Sequence, residues 1–207
     1  MRAFRRVPAR PVRCGEVSIS TKRGDDGTTG LFYGGRARKD SARIETVGAI
    51  DEAQAALGVA RAQARADKGA ISLDEELTSL ERGLWVVMAE VATAPRNRSK
   101  LSAGVTLVSA EMVEDLSRRV LELEASIEMP TEFVVPGQSL TSAALDLART
   151  LVRRAERHAV ALGLGELSLV VAYLNRLSDL CWLLARACEH EHLTARAKAV
   201  RACGAKE

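Results

Sequence analysis

The sequence predicts an all-α protein, an up-and-down bundle of about five helices preceded by a glycine- and threonine-rich loop. From about residue 41, apolar residues recur at i, i+3, i+4 and i+7, the pattern of amphipathic helices. The connections between the helical stretches are short, which favours antiparallel neighbours in a bundle. Aromatic residues make up only 3% of the chain, so the core must consist of Leu, Val, Ile and Ala, which suits closely packed helices.

The helical stretches are predicted at residues 41–66, 73–94, 106–127, 139–162 and 167–202. In the second stretch, Leu77, Leu84 and Val91 mark the apolar stripe, and in the fifth Leu177 and Leu184 do so. Residues 18–40 lack helical periodicity and are rich in Gly, Thr and charge, so we expect a loop there. A long loop in a compact protein is usually functional.

Residues 1–17 are predicted to form a flexible basic arm and residues 18–203 a single helical-bundle domain, because 207 residues suit one domain with a sizeable core. Five arginines and no acid lie in the first 13 residues, so the net charge of +3 belongs to the arm. We therefore expect no nucleic acid partner for the body. Pro8 and Pro11 would break an amphipathic transit helix, which favours a disordered tail over an organelle-targeting segment.

No apolar run approaches the roughly 20 residues of a membrane span, and the N-terminus lacks the apolar core of a secretory signal. The four cysteines include no CxxC pair, and Cys181 and Cys188 lie in an apolar helical pattern typical of core positions. These features predict a reduced, cytoplasmic protein without a membrane partner.

The first candidate site is TKRGDDGTTGLF, from Thr21 to Phe32. Its three glycines let backbone N–H groups converge on an anion, while threonine hydroxyls and Lys22 add donors and charge. The order of a Walker A loop is absent. A nucleotide-binding loop and a plain surface turn both fit this composition.

The second candidate is the arginine row of the fourth helix, Arg149, Arg153 and Arg157, which recurs every four residues and shares one broad face. Such a row needs counter-charges from another helix or from a polyphosphate. The alternative is a solvated face in which Arg153 pairs with Glu156.

Polar residues within apolar helical patterns form the remaining candidates. Asn175 and Asp179 are i, i+4 neighbours on a leucine-rich helix, which suggests a ligand or an inter-helix network. Asp51 is expected within the apolar stripe of the first helix, where an acid is costly unless a cation faces it. Cys188 and His192 at i, i+4 allow a shared metal, but a third ligand is not evident, and a solvated helix end is favoured.

Six blocks, in this order, resemble the propanediol-utilisation (PduO) type of ATP:cob(I)alamin adenosyltransferases: TKRGDDGTTGLF, GGRARKD, GAIDEAQAALG, FVVPG, ARTLVRRAER and YLNRLSDL. The likeness covers residues 19 to about 190. It implies a homotrimer of helical bundles that binds ATP between subunits. It also implies transfer of the 5′-deoxyadenosyl group of ATP to the cobalt of cobalamin.

The resemblance also implies site residues. In one subunit, the triphosphate with its Mg²⁺ would be bound by Thr21, Lys22, Arg23, Gly24, Thr28, Thr29 and Lys39. The neighbouring subunit would supply Arg153, Arg157, Glu156 and Asn175. No protein metal site is expected, because ATP phosphates hold the Mg²⁺.

On the corrin side, Asp51 and Arg149 match a family pair that bridges helices near the cofactor. Phe133 matches an aromatic residue beneath the corrin that keeps the lower ligand off cobalt and so eases reduction of Co(II). A flavin-type reductase and an adenosylcobalamin-dependent enzyme are the implied partners.

The chain departs from the family pattern at Gly30, where Ser is usual, at Ala53 and Gln54, where Leu and Asn are usual, and at Gln138, where Gly is common. These changes leave open a non-catalytic homologue that binds ATP or cobalamin in order to store or deliver cofactor.

Overall fold

A computed structural model describes residues 20–66, 71–189 and 191–195. The predicted arm, residues 1–17, lies outside this part of the chain, as do residues 196–203 of the predicted domain. Five α-helices follow one another: α1 Ala42–Ala66, α2 Ile71–Val91, α3 Ala110–Ser126, α4 Leu140–Leu162 and α5 Val170–Ala187. A 3-10 helix, Pro95–Lys100, lies between α2 and α3. The predicted all-α bundle is confirmed.

Helix ends follow local signals. The side chain of Ser109 accepts a hydrogen bond from the N–H of Met112 at the start of α3. Ser139 and Ser142 form a reciprocal capping box at the start of α4. Gly163 ends α4 in a left-handed conformation, with φ of 65°.

The core lies where α4 packs against α1 and α5, with α2 against α1 and α3 against α5. The helices α1 and α4 form the most extensive helix pair of the bundle, and short side chains make up much of the buried surface of each. This alanine seam consists of Ala49, Ala53, Ala56, Ala60 and Ala64 of α1 and Ala144, Ala148, Ala155 and Ala159 of α4. Leucines of α2 and α5 fill the remaining interior.

Two predictions about local structure were wrong. The loop before α1 contains an antiparallel hairpin, β1 Thr28–Gly30 and β2 Arg36–Arg38. The fifth helix ends at Ala187, not at residue 202, because residues 193–195 pair with residues 133–135 instead of continuing the helix. None of the helices in the described ranges is long and apolar enough to cross a membrane.

Candidate functional site

The segment from Thr21 to Phe32, here called the glycine–threonine segment, lies beside the first turn of α1 and the end of α2. The N–H of Phe32 donates to the carbonyl of Ala92 at 3.0 Å. The guanidinium of Arg43 donates to the carbonyl of Val91 at 2.5 Å and to that of Thr93 at 3.0 Å. The segment is therefore held on one end of the bundle, although it is almost wholly outside regular structure.

Arg36, on β2, links two parts of this segment through the hydrogen bonds of its side chain. Its Nη2 donates to the carbonyl of Arg23 at 2.7 Å, and its Nε donates to the hydroxyl of Thr28 at 2.8 Å. Asp26 lies 3.3 Å from the same guanidinium and accepts from the N–H and the hydroxyl of Thr28. The hydrogen bonds from Thr28 and the charge of Arg36 lower the pKa of Asp26, so this carboxylate stays ionised. Sequence reasoning missed Arg36, because its contacts depend on the hairpin that pairs it with Gly30.

Lys39 lies against the backbone of the segment. A Cβ on Gly24 would stand 3.0 Å from the Lys39 ammonium nitrogen, so glycine leaves the room that this side chain occupies. The N–H of Lys39 donates to the carbonyl of Gly27 at 2.9 Å. Five basic and three acidic residues lie between residues 20 and 40, which makes the region cationic. Thr21, Lys22 and Arg23 are exposed there, and Thr29 is half-buried in β1.

Arg153 and Arg157 project from α4 as exposed side chains. Within the described part of the chain, neither guanidinium has an acidic partner. Glu156, the alternative partner of Arg153, instead accepts a hydrogen bond from Nδ2 of Asn175 on α5 at 3.1 Å. Asn175 thus makes an inter-helix hydrogen bond, one of the two alternatives for this position, while Asp179 pairs with Arg176 of its own helix at 3.0 Å.

Asp51 does not lie in the apolar stripe of α1: it is exposed, and that prediction was wrong. It follows the buried Ile50 by one residue, about 100° around the helix, which turns it away from the core. Nor does it meet Arg149 within one chain. Nε of Arg149 lies 3.6 Å from the carboxylate of Asp146, too far for a hydrogen bond, and this buried atom has no hydrogen-bond partner among the described residues.

Phe133 lies at the other end of the bundle and is 90% exposed. It precedes the first turn of α4, whereas the glycine–threonine segment precedes α1, whose start meets the end of α4 through the bond from Thr46 to the carbonyl of His158. The 23 residues of α4 separate the two ends by roughly 34 Å. Within one chain the structure therefore does not bring Phe133 to the phosphate-binding candidates.

A cavity of about 680 Å³ adjoins the Phe133 segment. Its lining includes Ile127, Pro130, Arg186, Glu189 and His192. The predicted solvated helix end is wrong here, because the carboxylate of Glu189 is fully buried and accepts from Arg186 and His192. Since α5 ends at Ala187, Cys188 and His192 are not i, i+4 neighbours on a helix, and the geometry for sharing a metal is lost.

Residues 20–66, 71–189 and 191–195 contain no cluster of three His, Cys, Asp or Glu side chains fit to hold a metal ion.

The described residues form an all-α bundle with a cationic segment at one end and two guanidinium groups, those of Arg153 and Arg157, that have no acidic partner among them. A sequence model of the family described as cobalamin adenosyltransferase matches residues 19–188. A corrinoid adenosyltransferase of Citrobacter freundii is 37% identical over 171 residues, which cover 81% of this chain and 93% of that protein. One of Bacillus subtilis is 36% identical, with coverage of 82% and 86%. The chain belongs to the cobalamin adenosyltransferase family, which makes it a transferase.

Solved structures agree on the fold. A variant PduO-type ATP:corrinoid adenosyltransferase from Lactobacillus reuteri, complexed with cobalamin and ATP, superimposes with a TM-score of 0.75 at 24% identity. The match covers 87% of this chain and 97% of that chain.

Proposed function

We propose that the protein transfers the 5′-deoxyadenosyl group of ATP to the cobalt of cob(I)alamin, releasing triphosphate. The observation that carries the proposal is the pair of exposed guanidinium groups on α4, Arg153 and Arg157, whose nearest acid is engaged elsewhere. Cations left without protein partners beside a packed helix face are poised for an anionic ligand.

In the reaction, the electron pair of Co(I) forms the Co–C5′ bond while the bond from C5′ to the triphosphate oxygen breaks. The leaving triphosphate takes that electron pair, so negative charge grows on its oxygens. Arg153, Arg157, Lys22 and Lys39 lower the barrier by stabilising this charge. No proton transfer is required, and the protein's remaining work is to align cobalt with C5′ and to exclude water.

We further propose that each active site forms between subunits of a homotrimer. Phe133 and the glycine–threonine segment lie at opposite ends of one bundle, so a single copy cannot place both beside one ATP–corrin pair. In the proposed composite site, one copy gives the segment with Lys39, and the adjoining copy gives Arg153, Arg157, Glu156 and Asn175. Asp51 and Arg149, which do not meet within a chain, are then available to pair between copies.

Phe133 is proposed to occupy the lower face of the corrin, keeping the lower ligand off cobalt and favouring reduction of Co(II). Its ring is 90% exposed and is therefore accessible to a bound corrin. A flavin-type reductase would supply the electron, and an adenosylcobalamin-dependent enzyme would receive the product. The expected Mg²⁺ enters with the ATP phosphates. The arm of residues 1–17, the single domain that follows it and cytoplasmic location remain part of this proposal.

An anaerobic assay with chemically reduced cobalamin and ATP tests the central claim. The expected result is the visible spectrum of an alkylcobalamin together with one triphosphate per cobalt. A protein that binds both substrates without forming a Co–C bond would instead be a storage or delivery homologue. Sedimentation of the full chain at micromolar concentration tests the trimer, and a monomer that is fully active would exclude the composite site.

A further inference from the structure

We infer that Glu189 and His192 are positioning residues that hold Phe133 in place through the segment of residues 193–195. The role assigned to Phe133 rests on the proposed function, whereas the mechanical link rests on the contacts described below. Neither Glu189 nor His192 contacts the phosphate-binding candidates.

The first step of the link is a backbone pairing. The N–H of Val135 donates to the carbonyl of Leu193 at 2.7 Å, and the N–H of Ala195 donates to the carbonyl of Phe133 at 2.9 Å. Val134 and Thr194 form an antiparallel bridge between these bonds. The carbonyl and the chain direction at Phe133 are therefore fixed by residues that follow α5.

The second step anchors residues 193–195 to the bundle. Nδ1 of His192 lies 3.0 Å from one carboxylate oxygen of Glu189, and the other oxygen accepts from Nη2 of Arg186 at 3.0 Å. The same guanidinium donates to Asp146 of α4 at 2.6 Å. The side chains of Glu189 and Arg186 are 0% and 1% exposed, so these charges depend on one another and hold a defined geometry.

The third step is that Phe133 has little else to hold it. Its side chain is 90% exposed and cannot fix its own position by packing. Downstream, Gly137 adopts a positive φ of 111° before the capping box of α4 begins at Ser139. The segment that carries Phe133 is thus tied at Ser139 on one side and by residues 193–195 on the other. Loss of the pairing with residues 193–195 would leave Phe133 on a segment that is fixed only at Ser139.

The chain offers a matched set of variants. His192→Ala removes the outer contact, and His192→Asn restores a donor close to the position of Nδ1. Glu189→Gln weakens the buried anchor, with Glu124→Gln on the exposed face of α3 as its control. Phe133→Ala removes the ring without touching the anchor.

Amide hydrogen exchange of the substrate-free protein measures the mechanical link. His192→Ala should speed exchange at Val135 and Ala195 by about tenfold or more, because opening of this pairing becomes easier. His192→Asn should recover slow exchange, and Phe133→Ala and Glu124→Gln should leave it slow. Unchanged exchange at Val135 in both His192→Ala and Glu189→Gln would overturn the link.

Magnetic circular dichroism of cob(II)alamin bound with ATP measures the consequence. The four-coordinate fraction should fall in His192→Ala as it does in Phe133→Ala, while turnover of chemically reduced Co(I) stays near that of the wild type. Faster exchange with an unaltered four-coordinate fraction would refute the positioning role. A wild type that forms no Co–C bond would refute the proposed function alone, since the exchange measurement needs no substrate.

Discussion

The side-chain amide of Asn175 donates to the carboxylate of Glu156 at 3.1 Å and so links α5 to α4. Glu156 lies between Arg153 and Arg157 in sequence and would otherwise be their natural counter-charge. The Glu156 carboxylate is hydrogen-bonded to Asn175 and forms no ion pair with Arg153 or Arg157. Both guanidinium groups can therefore contact an anionic ligand.

Arg153→Ala should lower kcat by about 10²–10³-fold, the cost of losing one donor to a developing oxyanion. Steady-state kinetics with chemically reduced cobalamin measures it, and circular dichroism checks the fold. Arg118→Ala is the control, because Arg118 is an exposed residue of α3 that pairs only with acids of its own helix. Equal activity of the two variants would remove Arg153 from the phosphate site.

Arg36→Ala should weaken ATP binding by roughly tenfold, since the segment loses the charged hydrogen bonds that tie Arg23 and Thr28 together. Titration calorimetry with ATP and without corrin isolates this effect. Arg38→Ala on the same strand should bind ATP nearly as the wild type does, because Arg38 pairs only with Asp40. Similar losses in both variants would indicate a general effect of positive charge.

Glu90→Ala should destabilise the fold by about 1–3 kcal/mol, because it leaves the donors of Ser168 and Val108 without their buried acceptor. The fully buried carboxylate accepts from Arg98 at 2.8 Å, from Ser168 at 2.7 Å and from the N–H of Val108 at 2.9 Å. It thereby joins the 3-10 helix to two connections of the bundle. Urea unfolding compared with Glu122→Ala, an exposed site on α3, provides the measurement; equal stability of the variants would contradict this role.

Gly83→Ala should cost about 1–3 kcal/mol, because its Cβ would overlap the phenol oxygen of Tyr173, which packs on α2. Tyr173→Phe removes that oxygen and should recover part of the loss in the double variant. Gly48→Ala, where a Cβ meets open space, should instead stabilise α1 by about 0.5–1 kcal/mol. Additive losses in the Gly83→Ala/Tyr173→Phe pair would show that the two residues do not conflict.

Stability should fall as the pH rises above 9. Burial raises the pKa of the Cys181 thiol from 9.0 to about 12, partly offset by Arg149. Between these values the unfolded chain releases a proton that the folded protein retains, which favours unfolding by about 1.4 kcal/mol per pH unit. Urea unfolding at pH 8 and pH 10 should show this loss in the wild type and a smaller loss in Cys181→Ala; equal slopes would contradict it.

The helices were predictable because their signal is local: apolar spacing on a stripe such as Leu77, Leu84 and Val91 depends on nothing outside the helix. The end of α5 was not predictable in this way, because residues 193–195 leave the helical pattern to pair with a segment about 60 residues earlier. Asp51 shows a finer limit. Asp51 was assigned to the apolar stripe because it is next to Ile50. One residue corresponds to about 100° around a helix, so Asp51 is exposed while Ile50 is buried.

In the candidate site too, features with a local sequence pattern were predictable, and contacts that depend on the tertiary structure were not. The arginine row followed from a four-residue spacing, but the bonds of Arg36 depend on the hairpin that places β2 against β1. Glu90 carried a usable signal, since it follows Val87 by three residues on the buried face of α2. The resemblance to a family supplied the roles of Phe133, Lys39 and Asn175, which spacing alone does not reveal.

The alanine seam has a mechanical consequence. Because the seam side chains are short, α1 and α4 can pack closely along much of their length, which favours movement of the two helices as one unit. The glycine–threonine segment lies at one end of this pair of helices, and Arg153 and Arg157 lie on the exposed face of α4. In the proposed trimer, the angle between such units of adjoining copies would set the distances between the two parts of the proposed site. In the proposed trimer, a larger side chain at a buried seam position such as Ala148 would push the two helices apart and shift both parts of the proposed site.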